Sequence, residues 1–294
     1  MIETKITKIG DPFILRCGDA YYMYATDAPD GFKCFYSTNL TDWRDIGYCY
    51  KGTWGENCYW APEVFARDGK YLLLFTARQK QTHSLRIGLA TADRPEGPFV
   101  DVQPGPLFDF GYAAIDATML FDDDGKVYMY YSRDCSENVI DGKHVSVIYG
   151  MEVDPATYKP LMQPVVISKP DEEWEFKSGD WLWNEGPAVI KRNGVYYLNY
   201  SANFYASRDY SIGCSQSTRP LGPFVKYPEP VLKYKENVFS GPGHNHFFTD
   251  PAGRLYTVFH VHTDYDHPSG DRRACIAPVA FDDAGKLTID AEDK

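Results

Sequence analysis

The sequence predicts an all-β protein, a five-bladed β-propeller built as a single domain of residues 1–294. Three observations support this prediction. Short runs of aromatic and β-branched residues alternate with Gly-, Pro- and Asp-containing turns, and long helical periodicity is hard to find. Two segments of the chain repeat at a fixed offset, and five copies of one hairpin pattern are spread along its length.

The fixed offset relates residues 86–100 to residues 211–225. The segments RIGLATADRPEGPFV and SIGCSQSTRPLGPFV share Ile-Gly, Arg-Pro and Gly-Pro-Phe-Val at a spacing of 125 residues. The same offset brings DGKYLLLF, with Gly69, onto NGVYYLNY, with Gly194. Two long matches in one register indicate an internal structural repeat rather than chance.

Weaker copies of the hairpin complete the repeat. Each copy has a turn glycine between two strand-like runs, and these glycines are Gly18, Gly69, Gly125, Gly194 and Gly253. Dividing 294 residues by five gives about 59 residues per unit, near the length of a four-stranded blade with its loops. A β-sandwich is the alternative fold, but it does not explain a regular unit of this size.

Composition limits the function. A net charge of −11 argues against nucleic acid or an anionic membrane as a partner, and no stretch approaches the length of a membrane span. Aromatic residues make up 16% of the chain, which suits both strands and sugar-binding surfaces. The seven cysteines form no CxxC pair, and no leader-like segment precedes the first strand. We therefore expect a cytoplasmic protein.

Polar groups recur just before or at the start of the first strand in each copy. Because equivalent positions in a propeller are related by rotation about its axis, we expect these side chains to meet at one mouth of the central funnel. Each dipeptide alone, such as Asp-Pro, would be an ordinary turn element. The groups are Asp11, Trp60 with Glu63, Asp116, Glu185, and His244 with His246.

Three of these groups are carboxylic acids from three different copies, Asp11, Asp116 and Glu185. Converging carboxylates, without a Ser-His-Asp arrangement or a thiolate motif, indicate acid/base chemistry. One group can be protonated to release a leaving group, one ionised to activate water, and one placed to keep the acid's pKa high. Hydrolysis of a glycosidic bond with inversion uses such a pair, about 6.5–9.5 Å apart.

The motifs GDPFIL, WAPEVF, IDATMLFDDDGK, NEGPAVIKRNGVYYLNYS and GPGHNHFF resemble, in order, the blade motifs of glycoside hydrolase family 43. The resemblance implies a five-bladed, inverting enzyme that acts on α-L-arabinofuranosides and β-D-xylosides. It implies that Asp11 is the general base and Glu185 the general acid. Asp116 would orient the acid and tune its pKa.

The resemblance extends to binding groups. Trp60 would wall the sugar pocket, and an arginine of the last blade would meet the substrate. Nothing local distinguishes Arg272 from Arg273, and we choose Arg273. No cofactor is expected for the reaction. His244 would meet substrate and lie beside a structural calcium ion that is held mostly by water, whereas His260 and His262 are expected to pack and form hydrogen bonds within their blade.

The leading hypothesis is an exo-acting hydrolase that removes L-arabinofuranosyl or D-xylosyl units from plant-derived oligosaccharides. An endo-arabinanase of the same family is the first alternative. The second is a non-catalytic propeller that binds a sugar or a protein, although all three carboxylates are present. The third is a metal-dependent hydrolase built on the four histidines of the last blade. Oligomeric state is not predicted.

Overall fold

The computed structural model describes residues 1–291, so the last three residues of the predicted domain lie outside the described part. Apart from one short 3₁₀ helix, Glu173–Glu175, its regular elements are strands. The first twelve strands are β1 (Ile2–Thr7), β2 (Gly10–Cys17), β3 (Ala20–Thr26), β4 (Gly31–Ser37), β5 (Arg44–Lys51), β6 (Gly55–Arg67), β7 (Lys70–Gln79), β8 (Leu85–Ala92), β9 (Val100–Asp101), β10 (Ala114–Phe121), β11 (Val127–Arg133) and β12 (Val139–Ile140). The other twelve are β13 (Lys143–Val145), β14 (Val147–Val153), β15 (Val165–Ser168), β16 (Trp181–Leu182), β17 (Asn184–Arg192), β18 (Val195–Ala202), β19 (Ser211–Ser217), β20 (Val225–Lys226), β21 (Gly243–Thr249), β22 (Leu255–His262), β23 (Arg272–Phe281) and β24 (Leu287–Ile289).

Twenty-one of these strands form the five blades that the repeat predicts, and β12, β13 and β16 form a separate three-stranded sheet. Four antiparallel sheets have the orders β2-β3-β4-β5, β6-β7-β8-β9, β10-β11-β14-β15 and β17-β18-β19-β20. The fifth has the order β21-β22-β23-β1, with β24 added beside β23. The five-bladed propeller is therefore confirmed, and the sandwich alternative is wrong. In residues 1–291 no helix is long and apolar enough to cross a bilayer.

The last blade takes its outer strand from the other end of the chain. Strand β1 pairs antiparallel with β23, and Ile2 lies opposite Ile276. The buried Thr4 hydroxyl donates a hydrogen bond of 2.9 Å to the carbonyl oxygen of Ala274. The ring of blades is thus closed by hydrogen bonds between the first and last parts of the described chain.

Apolar side chains fill the spaces between neighbouring blades. Between the first two blades, Phe32 packs edge-on against Phe75 with ring centroids 5.8 Å apart. Met129 and Leu74 belong to the cluster between the second and third blades, and both are fully buried. Similar clusters occupy the three remaining interfaces. Because neighbouring blades cover both faces of each sheet, the second strands β11 and β18 are buried along almost their whole length.

Candidate active site

One pocket of about 320 Å³ collects most of the residues that the repeat predicts to converge. Glu63 and His246 are the exceptions, because they lie outside its lining, with Glu63 Oε1 3.5 Å from His246 Nδ1. The pocket lining includes one residue from the first strand of every blade. These are Asp11 on β2, Trp60 on β6, Asp116 on β10, Glu185 on β17 and His244 on β21. The pocket therefore lies at the axial end where all five inner strands begin.

A β-bulge at the same place in each inner strand directs these side chains. In every blade the register between the first two strands shifts at this point. One residue of each bulge has a left-handed backbone conformation, which an L-amino acid rarely adopts, and such strain is common at functional sites. These residues are Asp11 (φ 51°), Ala61 (φ 45°), Asp116 (φ 56°), Gly186 (φ 55°) and His244 (φ 49°).

The bulge residues also connect neighbouring blades. In four cases the backbone N–H of the bulge residue donates to a side chain on the second strand of the preceding blade. The pairs are Asp11 with His260 Nδ1 (3.2 Å), Ala61 with Thr26 Oγ1 (2.9 Å), Asp116 with Thr76 Oγ1 (3.0 Å) and His244 with Ser201 Oγ (2.7 Å).

The fifth connection departs from this pattern at Glu185. The equivalent side chain would be Ser132, which lies opposite Ile115 in its own blade, but its buried hydroxyl has no hydrogen-bond partner. The Gly186 N–H donates instead to Asp116 Oδ2 at 3.2 Å. Asp116 thereby holds the peptide that carries Glu185, and a side chain at Gly186 would crowd the His244 ring.

Asp11 is held in its ionised form. Its Oδ1 lies 3.0 Å from Arg272 Nη1 and 3.3 Å from His244 Nδ1, and its Oδ2 accepts a hydrogen bond of 2.6 Å from Thr26. Burial by itself raises the pKa of this carboxyl group. The Arg272 charge, followed by the histidines and Thr26, outweighs burial and holds the pKa of Asp11 well below its usual range.

Glu185 is held in the opposite state. Burial, assisted by the negative charges of Asp134 and Asp11, raises the pKa of Glu185 to about 8, although a hydrogen bond from Tyr210 acts against this. That bond joins the Tyr210 hydroxyl to Glu185 Oε1 at 2.8 Å, which leaves Oε2 to carry the proton. Burial and the charge of Glu185 also raise the pKa of Asp116. A pKa of about 8 keeps Glu185 protonated at neutral pH.

The structure corrects the choice of arginine. Arg272 lines the pocket and contacts Asp11, whereas Arg273 forms an ion pair of 2.9 Å with Glu3 on β1. Successive residues of a strand point to opposite faces, so only one of the two can reach the pocket. Gly10 makes room for Arg272, because a Cβ there would lie 2.1 Å from the guanidinium group.

The family model for glycosyl hydrolases family 43 matches residues 5–287. The chain belongs to this family. Family 43 enzymes are glycosidases that hydrolyse O-glycosyl bonds with inversion.

Solved and curated relatives agree with this assignment. The crystal structure of a thermostable family-43 glycoside hydrolase is 41% identical, with a TM-score of 0.95, and covers 99% of this chain and 96% of its own. An endo-1,4-β-xylanase from Bacteroides thetaiotaomicron is 31% identical, with a TM-score of 0.86 and coverages of 99% and 97%. A xylosidase/arabinosidase of Humicola insolens is 27% identical over 92% of this chain and 85% of its own.

The histidines of this family 43 hydrolase do not form a metal centre. Within residues 1–291 no group of three His, Cys, Asp or Glu side chains could hold a metal ion. His260 is fully buried and accepts the Asp11 N–H, and burial holds its pKa well below the usual value. His262 forms hydrogen bonds with the Ser240 hydroxyl and the Tyr205 carbonyl oxygen, as expected for a packing residue.

Calcium beside His244 stays a prediction, and the residues around the ring fit it only in part. Calcium takes six to eight oxygen ligands, and Asp11 Oδ1, which lies 3.3 Å from the His244 ring, already pairs with Arg272. A calcium ion at this place would take most of its ligands from water.

Sequence reasoning missed several groups of the family 43 pocket. Tyr210 and Asp134 both act on Glu185, and both come from connections after second strands rather than from the blade entries. Trp181 and Trp183 line the pocket as well. The alternation in Trp-Leu-Trp-Asn-Glu, residues 181–185, could have revealed them, because alternate residues of an extended segment share a face.

Proposed function

We propose that this family 43 enzyme is an exo-acting hydrolase that releases terminal α-L-arabinofuranosyl or β-D-xylosyl units from oligosaccharides. One observation carries the proposal. A carboxyl group kept ionised, Asp11, and one kept protonated, Glu185, line the same pocket. Opposite protonation of two carboxyl groups at neutral pH is what acid/base hydrolysis of a glycosidic bond requires.

The roles of the carboxyl groups follow from these states. Glu185 donates its proton to the glycosidic oxygen as the bond to the anomeric carbon breaks. Asp11 accepts a proton from the water that attacks that carbon from the opposite face, so the product has the inverted configuration. Asp116 positions Glu185 through the Gly186 N–H. We propose no cofactor requirement, because these groups supply every proton transfer.

The shape of the site supports removal of terminal units. A volume of about 320 Å³ is at the lower end of small-molecule sites, and Trp60 and Tyr210 belong to its walls. An endo-acting enzyme needs a groove that continues past the cleavage point in both directions. The 31% identical relative is named an endo-1,4-β-xylanase, so endo action is the second candidate.

A panel of aryl glycosides tests the function. Purified protein should hydrolyse 4-nitrophenyl α-L-arabinofuranoside or β-D-xyloside, with the β-D-galactofuranoside as a third sugar. On linear oligosaccharides the first product should be the monosaccharide. Internal cleavage, seen as oligomers of intermediate length, would support the endo alternative, and inactivity on every sugar would contradict the proposal.

The alkaline limb of the pH–rate profile should depend on Asp116 and Asp134. An acid must be protonated to act, so activity is lost as the pH rises through the pKa of Glu185. The negative charge of Asp134 raises that pKa, and the charges of Asp116 and Glu185 oppose each other in the same way. Replacing Asp116 or Asp134 with Asn should therefore move the alkaline limb of kcat/KM to lower pH. In both variants the amide oxygen can still accept the backbone N–H that the carboxylate accepts now.

Asp68→Asn is the matched control for this pH experiment, because Asp68 is 82% exposed and lies outside the pocket. Its profile should match that of the wild type. An alkaline limb that stays in place in both Asp116→Asn and Asp134→Asn would show that these charges do not tune the acid.

A further inference from the structure

A row of aromatic side chains extends outward from Glu185. Trp181, Trp183 and Glu185 alternate with Leu182 and Asn184 along one extended segment. Leu182 and Asn184 are buried, whereas both tryptophans and Glu185 line the pocket. Because alternate residues of a strand share a face, the two indole rings stand on the same side of the segment as the acid.

The rings form a continuous surface, which we call the aromatic wall and define as His144, Trp181, Trp183, Phe204 and Tyr205. The His144 ring stacks on Trp181 with centroids 3.9 Å apart and planes 3° from parallel. The remaining centroid distances along the wall are 6.2 Å, 5.6 Å and 4.9 Å. Trp181 and Phe204 are 42% and 40% exposed, so part of each ring remains accessible to a ligand although His144 covers one face of the indole.

Buried polar contacts hold both halves of the wall. Asn203, next to Phe204, is 1% exposed. Its side chain accepts the Lys177 N–H at 3.0 Å and donates to the Trp174 carbonyl oxygen at 3.0 Å. These contacts tie the loop that carries Phe204 to the segment that precedes Trp181.

A second set of contacts fixes the strand that leads to the acid. The fully buried Glu175 forms an ion pair of 2.8 Å with Lys226. Both side chains also bond to Asn184, which lies between Trp183 and Glu185, at 3.1 Å and 3.0 Å. The same buried contacts therefore position the aromatic wall and Glu185. Because these side chains are already ordered, a ligand loses little binding free energy to ordering them.

We propose that the outer part of the aromatic wall, Trp181 and Phe204, is a binding subsite for the neutral sugar unit on the leaving-group side of the scissile bond. Glu185 protonates the leaving oxygen, so the rings that share its face meet the unit attached to that oxygen. The accessible parts of the indole and phenyl rings can pack against the apolar face of a sugar ring. This inference rests on the proposed function, and it adds a preference for substrates with a second sugar over those with a small leaving group.

The test compares two substrates that carry the same terminal sugar. One is a disaccharide, and the other is the glycosyl fluoride, whose leaving group is a single atom. In Trp181→Ala and in Phe204→Ala, the ratio of kcat/KM for the disaccharide to kcat/KM for the fluoride should fall about tenfold, the effect of losing one well-formed ring contact. Trp181→Phe, which keeps an aromatic face, should recover most of the ratio.

Tyr234→Ala is the control, because Tyr234 is a similarly exposed aromatic residue, at 41%, outside the pocket. Its ratio should equal that of the wild type. An unchanged ratio in Trp181→Ala and Phe204→Ala would overturn the subsite and leave the proposed function standing. Should either alanine variant unfold, Trp181→Leu and Phe204→Leu, which keep apolar bulk without a flat ring, give the same comparison. A wild-type enzyme inactive on both substrates would refute the proposed function, and the subsite with it.

Discussion

Asp11→Asn should lower kcat/KM by about a thousandfold or more on every glycoside that the wild-type enzyme cleaves. The amide has nearly the shape of the carboxylate but cannot accept a proton from water. General acid/base groups contribute about 10²–10⁴-fold, and the base acts on the same water whatever the leaving group is. Steady-state rates on an activated aryl glycoside and on a disaccharide should therefore fall by similar factors.

Azide provides the decisive control for Asp11. Azide attacks the anomeric carbon without losing a proton, so it should restore turnover of the activated glycoside in Asp11→Asn and yield a glycosyl azide of inverted configuration. Because the substitution also removes the anionic partner of Arg272, thermal unfolding should be measured alongside. A folded variant that keeps more than about a tenth of the wild-type rate would show that Asp11 is not the general base.

Glu185→Gln should separate substrates by their leaving group. The second sugar of a natural disaccharide leaves as an alkoxide unless its oxygen is protonated, so kcat for the disaccharide should fall by about 10²–10⁴-fold. A glycoside of a strongly acidic phenol needs no protonation and should lose about tenfold or less. The alkaline limb should also disappear from the pH–rate profile of the activated substrate, because the group whose pKa is raised to about 8 is absent.

The informative quantity is the loss of rate on the disaccharide divided by the loss on the activated glycoside in Glu185→Gln. Tyr210→Phe is a useful companion, because it keeps Glu185 but removes the hydroxyl that donates to Oε1. That hydrogen bond lowers the pKa of Glu185, so its loss should move the alkaline limb to higher pH. Equal losses on both substrates in Glu185→Gln would contradict its assignment as the acid.

The repeat predicted the blades and the entry groups because both depend on local pattern. Turn glycines mark each hairpin, and rotation about the axis brings Asp11, Asp116 and Glu185 together whatever the loops do. The sequence did not show that Asp11, Asp116 and His244 are bulge residues whereas Trp60 and Glu185 precede the bulge. A bulge changes the alternation by one residue without an obvious compositional mark.

The groups that were missed depend on contacts between distant parts of the chain. To choose Arg272 over Arg273, one must know which residues of β23 face the pocket, and this is set by the pairing of β23 with β22 and β1. Tyr210 and Asp134 reach Glu185 from loops whose course is decided by packing against the neighbouring blade. Periodicity within one segment contains no information about such contacts.

The pairing of β1 with β23 has a consequence for how the molecule acquires its shape. Thr4 and Ala274 are 270 residues apart in the chain. Closing a loop of that length costs conformational entropy that no neighbouring contact offsets, so the seam is expected to form late in folding. On the ribosome, β1 is made before β23 and must wait for its partner while some 270 residues emerge, about 14–54 s at ordinary elongation rates. Throughout that interval the incomplete ring has an unpaired strand edge, which can pair with another chain. Chaperones would have to protect this incomplete ring from aggregation.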